Sequence, residues 1–147
     1  MKKILLVLLL AISFSSNAQT TEDSIKSVVN KMFTAMLQAD GKMFAECFAD
    51  SAILQTIDTK NGVSIKTDQL AKFATMVNGL KKNIADERIR FEAIHIDADL
   101  ASVWTPYTFY YIGKISHCGV NSFQLVRLKG SWKIQYIIDT RRKDGCL

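Results

Sequence analysis

In the stretch SHCGVNSFQLV, Ser116 to Val126, a histidine stands directly beside a cysteine. Two kinds of chemistry use such a pair: a thiol nucleophile with an imidazole base, or half of a metal site. Which of them is open depends on where the backbone points His117 and Cys118. The stretch is rich in β-branched and apolar residues, and Lys129-Gly130 separates it from a second such run, SWKIQYIIDT. A two-residue turn there pairs Leu128 with Ser131. One face of the hairpin then holds Leu125 opposite Ile134, Phe123 opposite Tyr136 and Asn121 opposite Ile138. The other holds Gln124 opposite Gln135, Val126 opposite Lys133 and Val120 opposite Asp139. A split into an apolar and a mostly polar face supports that register.

Successive strand residues point to opposite sides, so His117 faces inward and Cys118 outward. The pair does not act as one unit. Cys118 falls opposite Arg141, and the tail Arg142-Lys143-Asp144-Gly145 can turn back to bring Cys146 close. A Cys118–Cys146 disulfide there would stabilise the chain by roughly 3–4 kcal/mol on loop-entropy grounds; two free thiols are the alternative. His117 is either a satisfied histidine at the rim of the core or a polar contact for a ligand, with metal ligation a distant third. The chain has three cysteines and two histidines and lacks CxxC, HxH and HExxH spacings, so no metal site and no cofactor is expected.

The elements that position these residues are read from periodicity. Ile25, Val28, Val29, Met32, Phe33, Met36 and Leu37 mark one face of a helix that Thr20 or Thr21 caps and Asp40-Gly41 ends. A shorter helix carries Phe44, Cys47 and Phe48 on one stripe, which makes Cys47 a core residue. Ala52 to Ile57 is a strand, Asp58 to Gly62 a polar loop, and Thr67-Asp68 opens a third helix. Segments 88–96, 100–112, 115–128 and 131–141 then form an antiparallel meander. Helices followed by strands make an α+β domain. The strand 100–112 carries Trp104, Tyr107, Phe109, Tyr110 and Tyr111. Both its faces look apolar, and a bulge near Pro106 could switch them midway.

The first residues speak to compartment. Lys2-Lys3, the apolar run Ile4 to Ile12 and Ser16-Asn17-Ala18 have the layout of a signal peptide cut after Ala18, and the run is too short to span a bilayer. Residues 1–18 are thus expected to be removed and 19–147 to form one domain, exported to the periplasm or beyond. The formal charge is +5, of which Lys2 and Lys3 supply two. So small a surplus does not point to nucleic acid.

The order of helix, FAECFADSAIL, third helix and then VWTPYTFYYIGKISHCGVNSFQLV with GSWKIQYIIDTRR resembles the nuclear transport factor 2-like superfamily, over roughly Thr21 to Arg142. More narrowly it resembles secreted bacterial SnoaL-like and lumazine-binding-type proteins. The resemblance implies a cystatin-like cone: three N-terminal helices packed on a strongly curved antiparallel sheet, with a pocket inside and pairing of two copies through the sheet. Members include ketosteroid isomerases, polyketide cyclases and dehydratases, so the fold alone does not choose a function. The position where an isomerase carries its aspartate base falls at about Thr56, which cannot abstract a carbon-bound proton, and the first helix lacks the tyrosine that would polarise a carbonyl. On the register above Asp139 faces outward, which leaves His117 without an acidic partner inside unless Glu46 or Asp50 reaches in.

Three functions follow. The first is an exported protein that binds a small apolar or aromatic ligand, with Trp104, Tyr107 and Phe109 as walls and His117, Asn121 and Tyr136 as polar contacts. The second is an isomerase, cyclase or dehydratase with His117 as general acid-base. The third is a non-catalytic dimeric interaction module.

Overall fold

The computed structural model describes residues 20–59 and 62–146. The segment read as a signal peptide, 1–18, and the expected new start at Gln19 lie outside the described residues. The elements run α1 (Thr21–Gln38), α2 (Gly41–Glu46), β1 (Phe48–Asp58), β2 (Ser64–Asp68), α3 (Leu70–Asn78), β3 (Ala85–Ile89), β4 (Ala93–Asp97), β5 (Leu100–Tyr111), β6 (Lys114–Leu128) and β7 (Ser131–Thr140). The strands form one curved, unclosed sheet in the order β2-β1-β7-β6-β5-β3, with β4 also paired to β5.

The helix ends have local causes. The Thr20 hydroxyl accepts from the Asp23 amide at 3.1 Å, and α1 stops where Ala39 turns left-handed at φ 55°. The Asp40 carboxylate then accepts from the Met43 amide at 2.8 Å and starts α2. Gly41 lets α2 approach α3 closely, since a Cβ there would lie 2.1 Å from the Ala74 carbonyl oxygen. Ile25, Val29, Met32 and Phe33 of α1 bury their stripe against Val103, Phe123, Leu125 and Ile134 of the sheet. The expected α+β cone is present.

Three expectations change. The third helix begins at Leu70 and not at Thr67, because Thr67 and Asp68 belong to β2 and pair with Gln55 and Leu54. The sheet is mixed rather than antiparallel throughout: β1 runs parallel to β7, its distant neighbour in sequence, so no tight turn imposes opposite directions. The run 88–96 is two strands, β3 and β4, which pair with different parts of β5.

The fourth change matters most for function. From Leu128–Ser131 to Leu125–Ile134 the β6–β7 ladder follows the expected register. Beyond it the pairing slips by one residue, so that Gln124 faces Tyr136, Phe123 faces Ile137 and Asn121 faces Asp139. Gln135 is the extra residue of this bulge. Its amide donates to the Ser51 carbonyl at 3.0 Å, beside the stretch where β1 itself slips against β7. Past the bulge Ile137 and Asp139 face inward, and Tyr136 and Ile138 outward.

The slip also sets Cys118 opposite Arg142 rather than Arg141, with main-chain bonds of 2.9 and 2.8 Å. The Cys118–Cys146 disulfide is formed, with 5.4 Å between the Cα atoms. Cys47 is a buried free thiol.

Candidate functional site

The odd-numbered residues of β3 and β5, and those of β6 from His117 onward, share the inner face of the sheet. Phe109 lies opposite both Glu87 and His117, Tyr107 opposite Gly119, and Thr105 opposite Asn121. Thr56 of β1, Asp139 of β7 and Arg141 just beyond it complete a polar end to a cavity of about 330 Å³. Its other walls are mostly apolar: Met32 and Phe33 of α1, Phe44 of α2, Phe48 of β1, and Phe73 and Met76 of α3, with Gln55 of β1 and the ion pair Lys66–Asp68 of β2 also on the lining. A volume of this order suits a small organic molecule.

Two hydrogen-bonded groups meet at the polar end. In the first, the Asn121 side-chain amide donates to Glu87 Oε1 at 2.8 Å. In the second, Asp139 is the common acceptor. Thr56 Oγ1 donates to its Oδ1 at 2.5 Å and Arg141 Nε to its Oδ2 at 2.8 Å, while an Arg141 terminal nitrogen donates to Thr56 Oγ1 at 3.1 Å. The Tyr107 hydroxyl lies 3.2 Å from Asp139 Oδ2 and 2.9 Å from the Thr140 carbonyl oxygen, and its one proton serves both. To reach them the Tyr107 ring passes over Gly119. A Cβ at Gly119 would lie 1.9 Å from the Thr140 carbonyl oxygen and 3.0 Å from Tyr107 Cε1, so only glycine fits there.

Burial lifts the Glu87 carboxyl from 4.5 to about 7; nearby Asp139 adds to the rise, while the Asn121 hydrogen bond and Arg141 oppose it. Glu87 therefore titrates near neutrality, which is what a group that gives and takes a proton requires. Burial, then Asp139 and Glu87, raise the Tyr107 hydroxyl and keep it a donor. Burial, and after it Arg141, lower the His117 imidazole, with Asp139 opposing. His117 packs 5.0 Å from the Phe109 ring and edge-on at 5.8 Å from Tyr107, and its Nδ1 is 3.2 Å from the Ser116 hydroxyl.

Of the six residues expected around a ligand, Phe109, His117 and Asn121 line the cavity. Tyr107 does not line it, but its hydroxyl donates to Asp139, which does. Trp104 and Tyr136 do not line it. Trp104 is an even-numbered residue of β5, on the outer face and 44% exposed. Tyr136 is turned outward by the Gln135 bulge and donates to Gln55 Oε1 at 2.7 Å. Asp139 is inside rather than outside for the same reason. Glu46 pairs with Lys31 at 3.2 Å and Asp50 is exposed; neither lines the cavity. Glu87 had a signal in the sequence, because the alternation Ala85, Glu87, Ile89 puts it on the inner face once the strand starts at residue 85. Asp139 had none, because YII is apolar on both faces and conceals the bulge.

No family model matches the chain, and no curated protein matches it. Among solved structures the chain is similar to an NTF2-like protein of unknown function from Shewanella baltica, with 15% identity, a TM-score of 0.67 and coverage of 84% of this chain and 94% of that one. It is similar to an NTF-2 like protein of unknown function from Silicibacter pomeroyi, with 16% identity, a TM-score of 0.67 and coverage of 84% and 99%. A protein of unknown function with a cystatin-like fold from Nostoc punctiforme gives 14% identity, a TM-score of 0.67 and coverage of 85% and 95%. At these identities the likeness shows the fold, and the fold is the NTF2-like, cystatin-like one.

Proposed function

We propose that the protein is an exported small-molecule-binding protein of the SnoaL-like kind, whose cone holds a mostly apolar ligand with one carbonyl or hydroxyl group at the Glu87–Asn121 end. The observation that carries this reading is the division of the cavity: aromatic and methionine side chains over most of its wall, hydrogen-bonding groups at one end. Arg141 is already matched by Asp139, so a neutral ligand fits better than an ionic one. The Cys118–Cys146 disulfide suits an oxidising compartment. Native mass spectrometry of the mature protein from its own periplasm, set against the denatured spectrum, tests the reading. A mass lost on denaturation supports it, and a bare chain speaks against it.

A second reading has its own observation. Glu87 titrates near 7 inside an apolar cavity with Asp139, Tyr107 and Arg141 close by, an arrangement suited to moving a proton on a bound substrate as isomerases and dehydratases do. On this reading the acid-base group is Glu87, and His117 is a neutral contact. Turnover of a candidate substrate that disappears in Glu87→Gln while binding survives separates enzyme from binder. Two copies would pair through the outer face of the sheet, where Ile53 is 45% exposed and Trp104 44%; sedimentation of Trp104→Glu tests that pairing.

A further inference from the structure

Outside the cone lies a second recess, of about 460 Å³, between the N-terminal half of α1, the α2–β1 joint and the β6–β7 turn. Three cations line it, Lys31 of α1, Arg127 of β6 and Lys133 of β7, and one carboxylate, Glu46. They are not alike. Lys31 Nζ lies 3.2 Å from Glu46 Oε2, and Arg127 Nε is 2.7 Å from Asp99 Oδ1. Lys133 Nζ instead donates to the main-chain carbonyl of Glu46, and among the described residues no carboxylate is within ion-pair distance of it.

Lys133 is half-buried as a residue, and its ammonium is held at the surface by a neutral acceptor. Its charge is uncompensated, and two of its three N–H groups remain for a ligand. A charge so placed favours an anion beside it. Lys31 and Lys133 both meet Glu46, one at the side chain and one at the backbone, and both line the recess. The buried Cys47 thiol below them senses both: burial pushes it up to about 11, and Lys31 and Lys133 pull against that rise. Ser24, Ser27 and Ser131 line the same recess and add hydroxyl donors. Cations that line one recess, one of them without a carboxylate partner, beside hydroxyls are the donor set of an oxyanion site.

We propose that this recess is a second ligand site, independent of the cone, that binds a small oxyanion, a phosphate or carboxylate group, through Lys133 and Lys31. The anion displaces Glu46 from Lys31 and takes the open donors of Lys133. The volume leaves room for an organic molecule attached to the anionic group.

Amide chemical shifts of the mature, disulfide-bonded protein, titrated with inorganic phosphate and with citrate at constant ionic strength, test the proposal. Chloride and vesicles of phosphatidylglycerol serve as further arms. Saturable shifts confined to Ser24, Ser131 and Lys133 are expected, with about tenfold weaker binding in Lys133→Met, which keeps the aliphatic stem. Glu46→Gln removes the competing carboxylate and should tighten binding, and Glu87→Gln should leave it unchanged. A response to vesicles but not to the free anions would make the ligand a lipid headgroup and still support the site. Shifts that chloride reproduces, or that Lys133→Met leaves intact, would overturn it.

Discussion

The two halves of the β6–β7 hairpin use the same strands for opposite ends. Between the turn and Gln135 the inward positions are Leu125 and Ile134, both fully buried, with Trp132 close by, and this end of the cone is solid. Beyond the Phe123–Ile137 pair they are Asn121, Asp139 and His117, and the cone is hollow. Alternation along the strands decides which residues face in, and side-chain identity then decides whether the inside is filled or left open for chemistry. The bulge at Gln135 lies between the two ends and brings Asp139 into the second.

The most forceful way to test this division is to hollow out the solid end. Phe123 is fully buried at the boundary, edge-on to Phe33 at 6.2 Å. Phe123→Ala should cost about 3–5 kcal/mol in urea unfolding, the sum of lost transfer and cavity terms. A loss below about 1 kcal/mol would mean that the solid end is not what holds the fold.

The hollow end depends on a covalent tie. The Cys118–Cys146 bridge fixes the segment that bears Arg141 and the Thr140 carbonyl that Tyr107 meets. Cys146→Ser should cost about 3–4 kcal/mol by loop entropy. Cavity ligands should weaken along with it, as thermal unfolding and ligand titration would record. If stability falls but the Asp139–Arg141 end keeps its ligand affinity, the tie is structural only.

Glu87 tests the hollow end by its charge. Its folded pKa, about 7, lies above the unfolded value near 4.5, so between those pH values the folded state binds the extra proton. Its contribution to stability is therefore greatest below pH 4.5 and is lost as pH rises to about 7. Glu87→Gln removes that loss and should be more stable than the parent at pH 8, by up to about 3 kcal/mol at 1.36 kcal/mol per unit. The two should be equal near pH 4. A difference that does not change with pH would show that Glu87 is not buried as a neutral acid.

The same comparison shows how far sequence reasoning reaches. The near half of the hairpin was legible because Leu125 and Ile134 alternate with the half-buried Gln124, Val126, Lys133 and Gln135, mostly polar, and a two-residue turn sets the count. The disulfide was legible because Cys118 and the tail still meet when the register is off by one. The far half was not, since Tyr136, Ile137 and Ile138 satisfy either face and no residue announces an insertion at Gln135. The parallel β1–β7 pairing, a long-range choice with no turn to mark it, was equally hidden. Fold class survives such an error, because it depends on which segments are strands. A site does not, because one residue of slip exchanges an outward Asp139 for an inward one.

The smallest effect, and the finest test, is at Trp104. It sits one position from Val103, which is buried at 1%, and faces the other way at 44% exposure. Trp104→Ala should therefore leave binding in the cone unchanged, whereas Phe109→Ala, on the inner face of the same strand, should weaken it by about tenfold or more through lost ring contact. In a monomer the exposed indole should contribute about 1 kcal/mol or less to stability. A loss above about 2 kcal/mol that grows with protein concentration would show the outer face covered by a second copy. The solid and hollow ends would then be joined by a third surface, read from the opposite parity of the same strand.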